Sequence, residues 1–77
     1  MTYQEIETAA NTPNGSYVNT DGDWCMTRTP EELRDYLTPI VPYSVVEIGK
    51  TNTCTAFVVF ENGLKATWNG YCVYVKQ

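Results

Sequence analysis

From Tyr43 onward the sequence alternates between apolar and other side chains with a period of two, and this pattern constrains the fold more than any other feature. Four such runs follow one another: YSVVEIG, CTAFVVF, LKATW and YCVYVK. Short segments of turn-forming residues separate them, at 50–53, 61–63 and Asn69-Gly70. Short alternating strands joined by tight turns pair with their sequence neighbours. The pattern therefore predicts a four-stranded antiparallel meander.

The turn residues also predict the register of this meander. A three-residue loop at 61–63, with Gly63 in the left-handed conformation, pairs Phe60 with Leu64. A two-residue turn at Asn69-Gly70 would then continue the same face from Trp68 into the last strand. The predicted core face consists of Cys54, Ala56, Val58, Phe60, Leu64, Ala66, Trp68, Tyr71, Val73 and Val75.

The opposite side of the meander, the outer face, is a candidate binding surface. Two rows of side chains are predicted to cross it: Val59, Lys65 and Tyr74 in one, and Phe57, Thr67 and Cys72 in the other. Aromatic side chains beside a cation are enriched at protein interfaces. Either a helix or the first hairpin covers this face as a second core layer, or the face is open and marks an interface. The candidate partner-binding residues on it are Phe57, Val59, Lys65 and Tyr74.

Two short helices are indicated by capping boxes, in which a Thr and a Glu three residues later satisfy each other's backbone N–H groups. Thr2 and Glu5 begin the first helix, which the turn residues at 11–15 end. Thr29 and Glu32 begin the second helix, with Pro30 at its first position, and this helix ends by Thr38 because Pro39 follows. Between the helices, SYVNTDGDWCMTR predicts a hairpin turned by Asp21-Gly22. The expected fold is a single α+β domain over residues 1–77, in the order α-β-β-α-β-β-β-β.

Charge and composition exclude several functions. Nine Asp and Glu against five Lys and Arg give a net charge of −4 and a pI near 4.4, the wrong sign for direct nucleic-acid binding.

The chain has no His, and Cys25, Cys54 and Cys72 lack the paired spacing of zinc sites, so we expect neither metal nor cofactor. Three cysteines without a signal-peptide pattern indicate reduced thiols and a cytoplasmic protein. The sequence contains no apolar run of about 18 residues, so no contact with a membrane is expected.

These observations favour protein binding over catalysis. The expected partner presents a basic surface, because complementary charges steer association. Candidate contacts are the carboxylates Asp21, Asp23, Glu31, Glu32 and Asp35, although Glu31 and Glu32 also fit a structural role at a helix N-terminus. A second possibility is self-association through the C-terminal strand, residues 71–76, which is predicted to lie at the sheet edge and could pair there with its own copy. A cysteine-dependent enzyme ranks third, because the groups of a catalytic site are missing from the sequence.

The general character of the chain is similar to that of small phage-encoded proteins. Those proteins block a nucleic-acid enzyme of the host, or a defence complex such as a CRISPR or restriction system. The similarity lies in short length, acidity and aromatic hairpins rather than in a motif, so it assigns no residue. It implies an inhibitor that occupies a basic, nucleic-acid-binding surface. The alternative is an intracellular adaptor or assembly subunit without an inhibitory role.

Overall fold

A computed structural model describes the chain at residues 1–18, 29–52, 55–68 and 72–77. These ranges form α1 Tyr3–Ala10, β1 Ser16–Val18, α2 Pro30–Leu37, β2 Val45–Asn52, β3 Thr55–Phe60, β4 Lys65–Trp68 and β5 Val73–Lys76. The strands make one antiparallel sheet in the order β1-β5-β4-β3-β2. The predicted α+β class and order of elements are confirmed. The second strand of the first predicted hairpin, with Asp21-Gly22, lies outside the described residues.

Both predicted capping boxes are present. The Thr2 hydroxyl accepts a hydrogen bond from the Glu5 backbone N–H at 3.2 Å, and the Glu5 carboxylate accepts one from the Thr2 N–H at 2.8 Å. Thr29 and Glu32 make the same reciprocal pair at 3.1 and 3.0 Å. These bonds satisfy N–H groups that have no partner inside the helix. Both helices therefore begin where the local sequence predicts.

The two helices lie on the same face of the sheet. α1 packs against β1 and β5, and α2 packs against β2 and β3. The helices contribute Ile6, Ala10, Leu33 and Leu37 to the buried core, where Trp68 is the largest buried side chain. The predicted core face is confirmed at Ala56, Val58, Phe60, Leu64, Ala66, Trp68, Val73 and Val75. Its other two predicted members, Cys54 and Tyr71, lie outside the described residues.

The chain reaches β1 through a tight turn with left-handed backbone at Asn14 (φ 67°) and Gly15 (φ 76°). A β-carbon at Gly15 would lie against the Val75 carbonyl oxygen and 2.9 Å from the Tyr74 hydroxyl oxygen. Glycine therefore gives both the backbone conformation and the space for β1 to approach β5.

Strand β2 contains a bulge at Val46. Val45 pairs with Phe60 and Glu47 with Val59, so Val46 is the extra residue, and its side chain is 62% exposed. The bulge allows both Val45 and Ile48 to pack against the core although they are three residues apart.

The predicted pairing of β3 with β4 is confirmed, but that of β4 with β5 is wrong. Val58 pairs with Ala66, and Gly63 has the predicted left-handed backbone (φ 91°). Trp68, however, pairs with Val73 rather than with residue 71, so the register of β5 is shifted by two residues. A shift by two keeps every side chain on its face. The buried set is consequently unchanged, whereas the rows on the outer face are different.

The prediction that the C-terminal strand lies at a sheet edge is also wrong. β5 pairs with β4 on one side and with β1 on the other. Its backbone groups are therefore engaged on both sides, and pairing of this strand with its own copy is not open to the folded chain. The outermost described strands are β1 and β2.

Candidate binding surfaces

The outer face carries one row of residues that crosses all five strands. Neighbours in this row are paired across the sheet: Gly49, Phe57, Thr67, Tyr74 and Tyr17. Both helices lie on the opposite face, and the first strand of the predicted hairpin extends the sheet instead of covering it. Neither helix is therefore the cover considered from the sequence.

Phe57 is held between a glycine and a lysine. A β-carbon at Gly49 would lie 2.8 Å from the ring of Phe57, so the ring occupies the space that a side chain on β2 would take. The Lys65 ammonium nitrogen lies 4.8 Å from the centroid of the same ring, within the range of a cation–π interaction. Phe57 is consequently only partly exposed.

Tyr74 makes the equivalent contact at the other end of the row. Its hydroxyl oxygen lies 2.9 Å from the position of a Gly15 β-carbon. The Tyr17 ring packs edge-on against the Tyr74 ring, with 5.2 Å between centroids and an interplanar angle of 64°. Tyr74 is partly buried by these neighbours, whereas Tyr17 is 58% exposed. Tyr17 is therefore the aromatic of this row most accessible to a partner.

Two lysines lie side by side on the same face. Lys65 on β4 pairs across the sheet with Lys76 on β5, and both side chains are exposed. Neither ammonium group forms an ion pair within the described part of the chain. Like charges directly opposite each other destabilise a sheet, so the pairing of these two lysines does not itself stabilise the fold, although Lys65 contacts Phe57. Lys76, and not Tyr74 as predicted, completes the row of Val59 and Lys65.

The exposed side of the two helices, the helical layer, carries the opposite charge. Its exposed carboxylates are Glu5, Glu7, Glu31, Glu32 and Asp35. The cation on these two helices is Arg34, whose Nε lies 3.1 Å from Asp35 Oδ1 in an exposed contact. An exposed contact of this kind contributes little to stability.

Helix physics explains three of these carboxylates and leaves two unexplained. Glu5 and Glu32 accept the capping hydrogen bonds, and Glu31 lies in the first turn, where the helix dipole favours negative charge. Glu7 and Asp35 lie in the last turns of α1 and α2, where the dipole disfavours a carboxylate. Their positions give no gain in helix stability, which makes Glu7 and Asp35 the stronger candidates for a partner contact.

The carboxylate of Glu7 lies near the Tyr3 side chain. The Tyr3 and Tyr43 rings pack with 6.2 Å between centroids. Burial, followed by the charges of Tyr43 and Glu7, raises the pKa of the Tyr3 phenol above its usual value. Tyr43, which packs against Tyr3, is itself 41% exposed.

An open groove of about 580 Å³ lies between α1 and β1. It is lined by Thr2, Gln4, Glu5, Thr8, Ala9, Thr12, Ser16, Tyr17 and Val18. The lining is mainly hydroxyl-bearing, and its carboxylate, Glu5, is engaged in the capping box. The described ranges contain no group of three metal-ligating side chains and no helix with the length and apolarity to cross a membrane.

The structure divides the predicted partner-binding residues into two surfaces. Phe57, Val59, Lys65 and Tyr74 belong to the outer face, whereas Glu31, Glu32 and Asp35 belong to the helical layer on the other side of the sheet. Asp21 and Asp23 lie outside the described residues. The sequence interpretation missed Tyr17, Lys76 and Glu7. The alternation of side chains along β5 was a signal that Lys76 lies on the outer face. The position of Tyr17, however, depends on the pairing of β1 with β5, which are far apart in the sequence.

Comparison with known proteins adds no functional assignment, since no family model, curated protein or solved structure matches the chain.

Proposed function

We propose that this chain is a protein-binding module without catalytic activity, and that its helical layer docks on a basic surface of another protein. The observation that supports this most is the position of Glu7 and Asp35. Both are exposed carboxylates in the last turn of a helix, where they oppose the helix dipole. Cationic side chains of a basic partner would attract these two carboxylates and compensate for their unfavourable interaction with the dipole.

The distribution of charge supports the same reading. Five carboxylates and one cation lie on the two helices, whereas Lys65, Lys76 and one carboxylate, Glu47, lie on the outer face. A basic partner is therefore attracted more strongly to the helical side of the molecule. Such asymmetry orients the encounter and raises the association rate.

The more specific proposal is that the basic surface is one that holds nucleic acid in the free partner. The chain would then act as an inhibitor by occupying that surface, as small phage-encoded proteins do with nucleic-acid enzymes or defence complexes of the host. Carboxylates spaced along a surface can take the place of phosphates against Lys and Arg. The alternative, an adaptor without an inhibitory role, requires a partner whose nucleic-acid binding is unaffected.

Affinity capture from cells of the native source, with quantitative mass spectrometry, tests the proposal. The bait variant is Glu7→Gln/Asp35→Asn, and the control is Glu47→Gln/Glu61→Gln, which removes the same charge from exposed sites outside the helices. We expect the wild type and the control to capture the same protein and the helix variant to lose it at least tenfold. Equal capture by both variants would contradict the proposal. Nucleic acid that competes with the chain for the captured protein would identify an inhibitor.

A further inference from the structure

The outer face and the helical layer form two surfaces of opposite charge on the two sides of one sheet. We propose that the outer face is a docking surface for the helical layer of a second copy of this chain, so that the protein self-associates head to tail. This goes beyond the proposed function and does not depend on it, because both surfaces belong to the chain itself.

The basic half of the contact is the lysine pair. Lys65 and Lys76 are cross-strand neighbours, exposed, and without an ion pair in the part of the chain that the structure describes. Their mutual repulsion is relieved when carboxylates approach from outside. The copy's helical layer presents such groups at Glu7 and at Asp35, whose contact with Arg34 is exposed and contributes little to stability.

The aromatic row gives the contact an apolar component. Tyr17 is 58% exposed, and its ring packs against the Tyr74 ring. The Phe57 ring packs against Gly49. On the helical side, Tyr43 is 41% exposed beside Tyr3. Rigid aromatic groups lose little conformational entropy on binding, and for this reason they are enriched at interfaces.

Charge also distinguishes a symmetric self-contact, between two like faces, from a head-to-tail contact between unlike faces. A symmetric contact between two outer faces would bring four lysines and two copies of Glu47 together, and a symmetric contact between two helical layers would bring ten carboxylates and two copies of Arg34 together. Each symmetric contact therefore has an excess of like charge, and the contact between unlike faces is the most complementary of the three. Because the two faces lie on opposite sides of the sheet, this contact is heterologous and need not close.

The contact is expected to be weak. The domain measures 27 × 25 × 23 Å, and one face of that size buries roughly 500 Å² per copy, less than the roughly 800 Å² per partner of a standard interface. Association is therefore expected to depend on concentration and to weaken with salt.

Sedimentation velocity over a concentration series, at low and high salt, tests the inference with two charge-reversal variants. Lys65→Glu/Lys76→Glu inverts the charge of both lysines and keeps a like-charge pair across the strands, but it also removes the contact of Lys65 with the Phe57 ring. Glu7→Lys/Asp35→Lys brings the net charge of the helical layer from −4 to zero and places cations where the helix dipole favours them. Lys50→Glu is the control, because it reverses a charge on β2 outside the lysine pair. Circular dichroism verifies that each variant is folded.

We expect the wild type and Lys50→Glu to associate as concentration rises, and each double variant alone to associate at least tenfold more weakly. An equimolar mixture of the two double variants should associate again, because one keeps the acidic layer and the other keeps the basic face. A wild type that stays monomeric throughout would overturn the inference. So would a mixture that does not associate, or stronger association of Lys65→Glu/Lys76→Glu, which would indicate a symmetric contact between outer faces.

Discussion

At the scale of single residues, the aromatics of the outer face have a structural role as well as an accessible surface. The Phe57 ring lies against Gly49 on the neighbouring strand β2, and the Tyr74 hydroxyl lies against Gly15 in the turn before β1. A ring placed over a strand glycine covers backbone that would otherwise be exposed and compensates for the missing side chain. The sequence left open whether such residues are interface anchors or a second packing layer. Tyr74 is partly buried in this way, whereas Tyr17 is mainly exposed.

Tyr74→Ala and Tyr17→Ala should therefore differ in stability. Removal of the Tyr74 ring uncovers Gly15 and leaves a gap in the row, so we expect a loss of about 1–3 kcal/mol in the free energy of unfolding. Tyr17→Ala removes a mainly exposed ring and should cost less than about 1 kcal/mol. Urea denaturation measures both. Equal losses would show that the two rings are not packed as described.

Two glycines with left-handed backbone give a second matched pair. Gly15→Ala would place a β-carbon against the Val75 carbonyl oxygen, where β1 meets β5, in addition to the strain of φ 76°. Gly63→Ala carries similar strain at φ 91°, but its nearest neighbour is the flexible Gln77 side chain at 3.6 Å. We expect Gly63→Ala to cost about 1 kcal/mol and Gly15→Ala to cost more than about 2 kcal/mol, since a backbone clash adds to the strain. Thermal denaturation distinguishes them, and a tolerated Gly15→Ala would contradict the close approach of β1 to β5.

At the scale of helices and strands, position along a helix separates carboxylates with a structural role from those that we propose bind a partner. Glu5 and Glu32 complete capping boxes, whereas Glu7 and Asp35 lie near the negative end of the helix dipole. The same residue type thus has opposite effects on stability at the two ends of one helix.

Alanine substitutions should reveal this division. Glu5→Ala and Glu32→Ala each lose a capping hydrogen bond, so we expect losses of about 0.5–1 kcal/mol. Glu7→Ala and Asp35→Ala should leave the free energy of unfolding unchanged or raise it by a few tenths of a kcal/mol, roughly, because Ala has the higher helix propensity and removes the unfavourable charge. Chemical denaturation of the four variants provides the comparison. A clear loss for Glu7→Ala and Asp35→Ala would give these residues a structural role and weaken their assignment to binding.

The sequence predicted the elements that depend on local interactions. Capping boxes, the left-handed Gly63 and the pairing of β3 with β4 all follow from residues close together in the chain. The register of β5 was wrong because a shift by two residues preserves the alternation of faces, so hydrophobic patterning contains no information about it. That shift is also why Lys76, rather than Tyr74, came to lie beside Lys65.

At the scale of the whole molecule, the pairing of β1 with β5 determines which residues are neighbours on the outer face. It joins strands from the two ends of the chain, removes β5 from the sheet edge and brings Tyr17 beside Tyr74. Pairing between such distant residues leaves no local signal, so the sequence could not place Tyr17 in the site. Nor could it show that the acidic and basic candidates lie on opposite sides of the sheet, because that depends on how both helices pack.

The redox state of the chain remains a prediction that concerns the whole molecule. Cys25, Cys54 and Cys72 follow no disulfide or zinc pattern, and the odd number favours thiols. Thiol titration in denaturant, after purification without a reducing agent, should count three reactive groups. A count of one would indicate an intramolecular disulfide and would contradict the expectation of a reducing compartment.

Docking of the helical layer on a basic surface should be visible in the rate at which the chain associates with the captured partner. Stopped-flow or surface measurements at low and at physiological salt compare the wild type with Glu7→Gln/Asp35→Asn and with Glu47→Gln/Glu61→Gln. We predict that salt slows wild-type association at least tenfold, that the helix variant associates slowly at both salt concentrations, and that the control behaves as the wild type does. An association rate that is unaffected by salt, or equal in the helix variant and the wild type, would contradict the account.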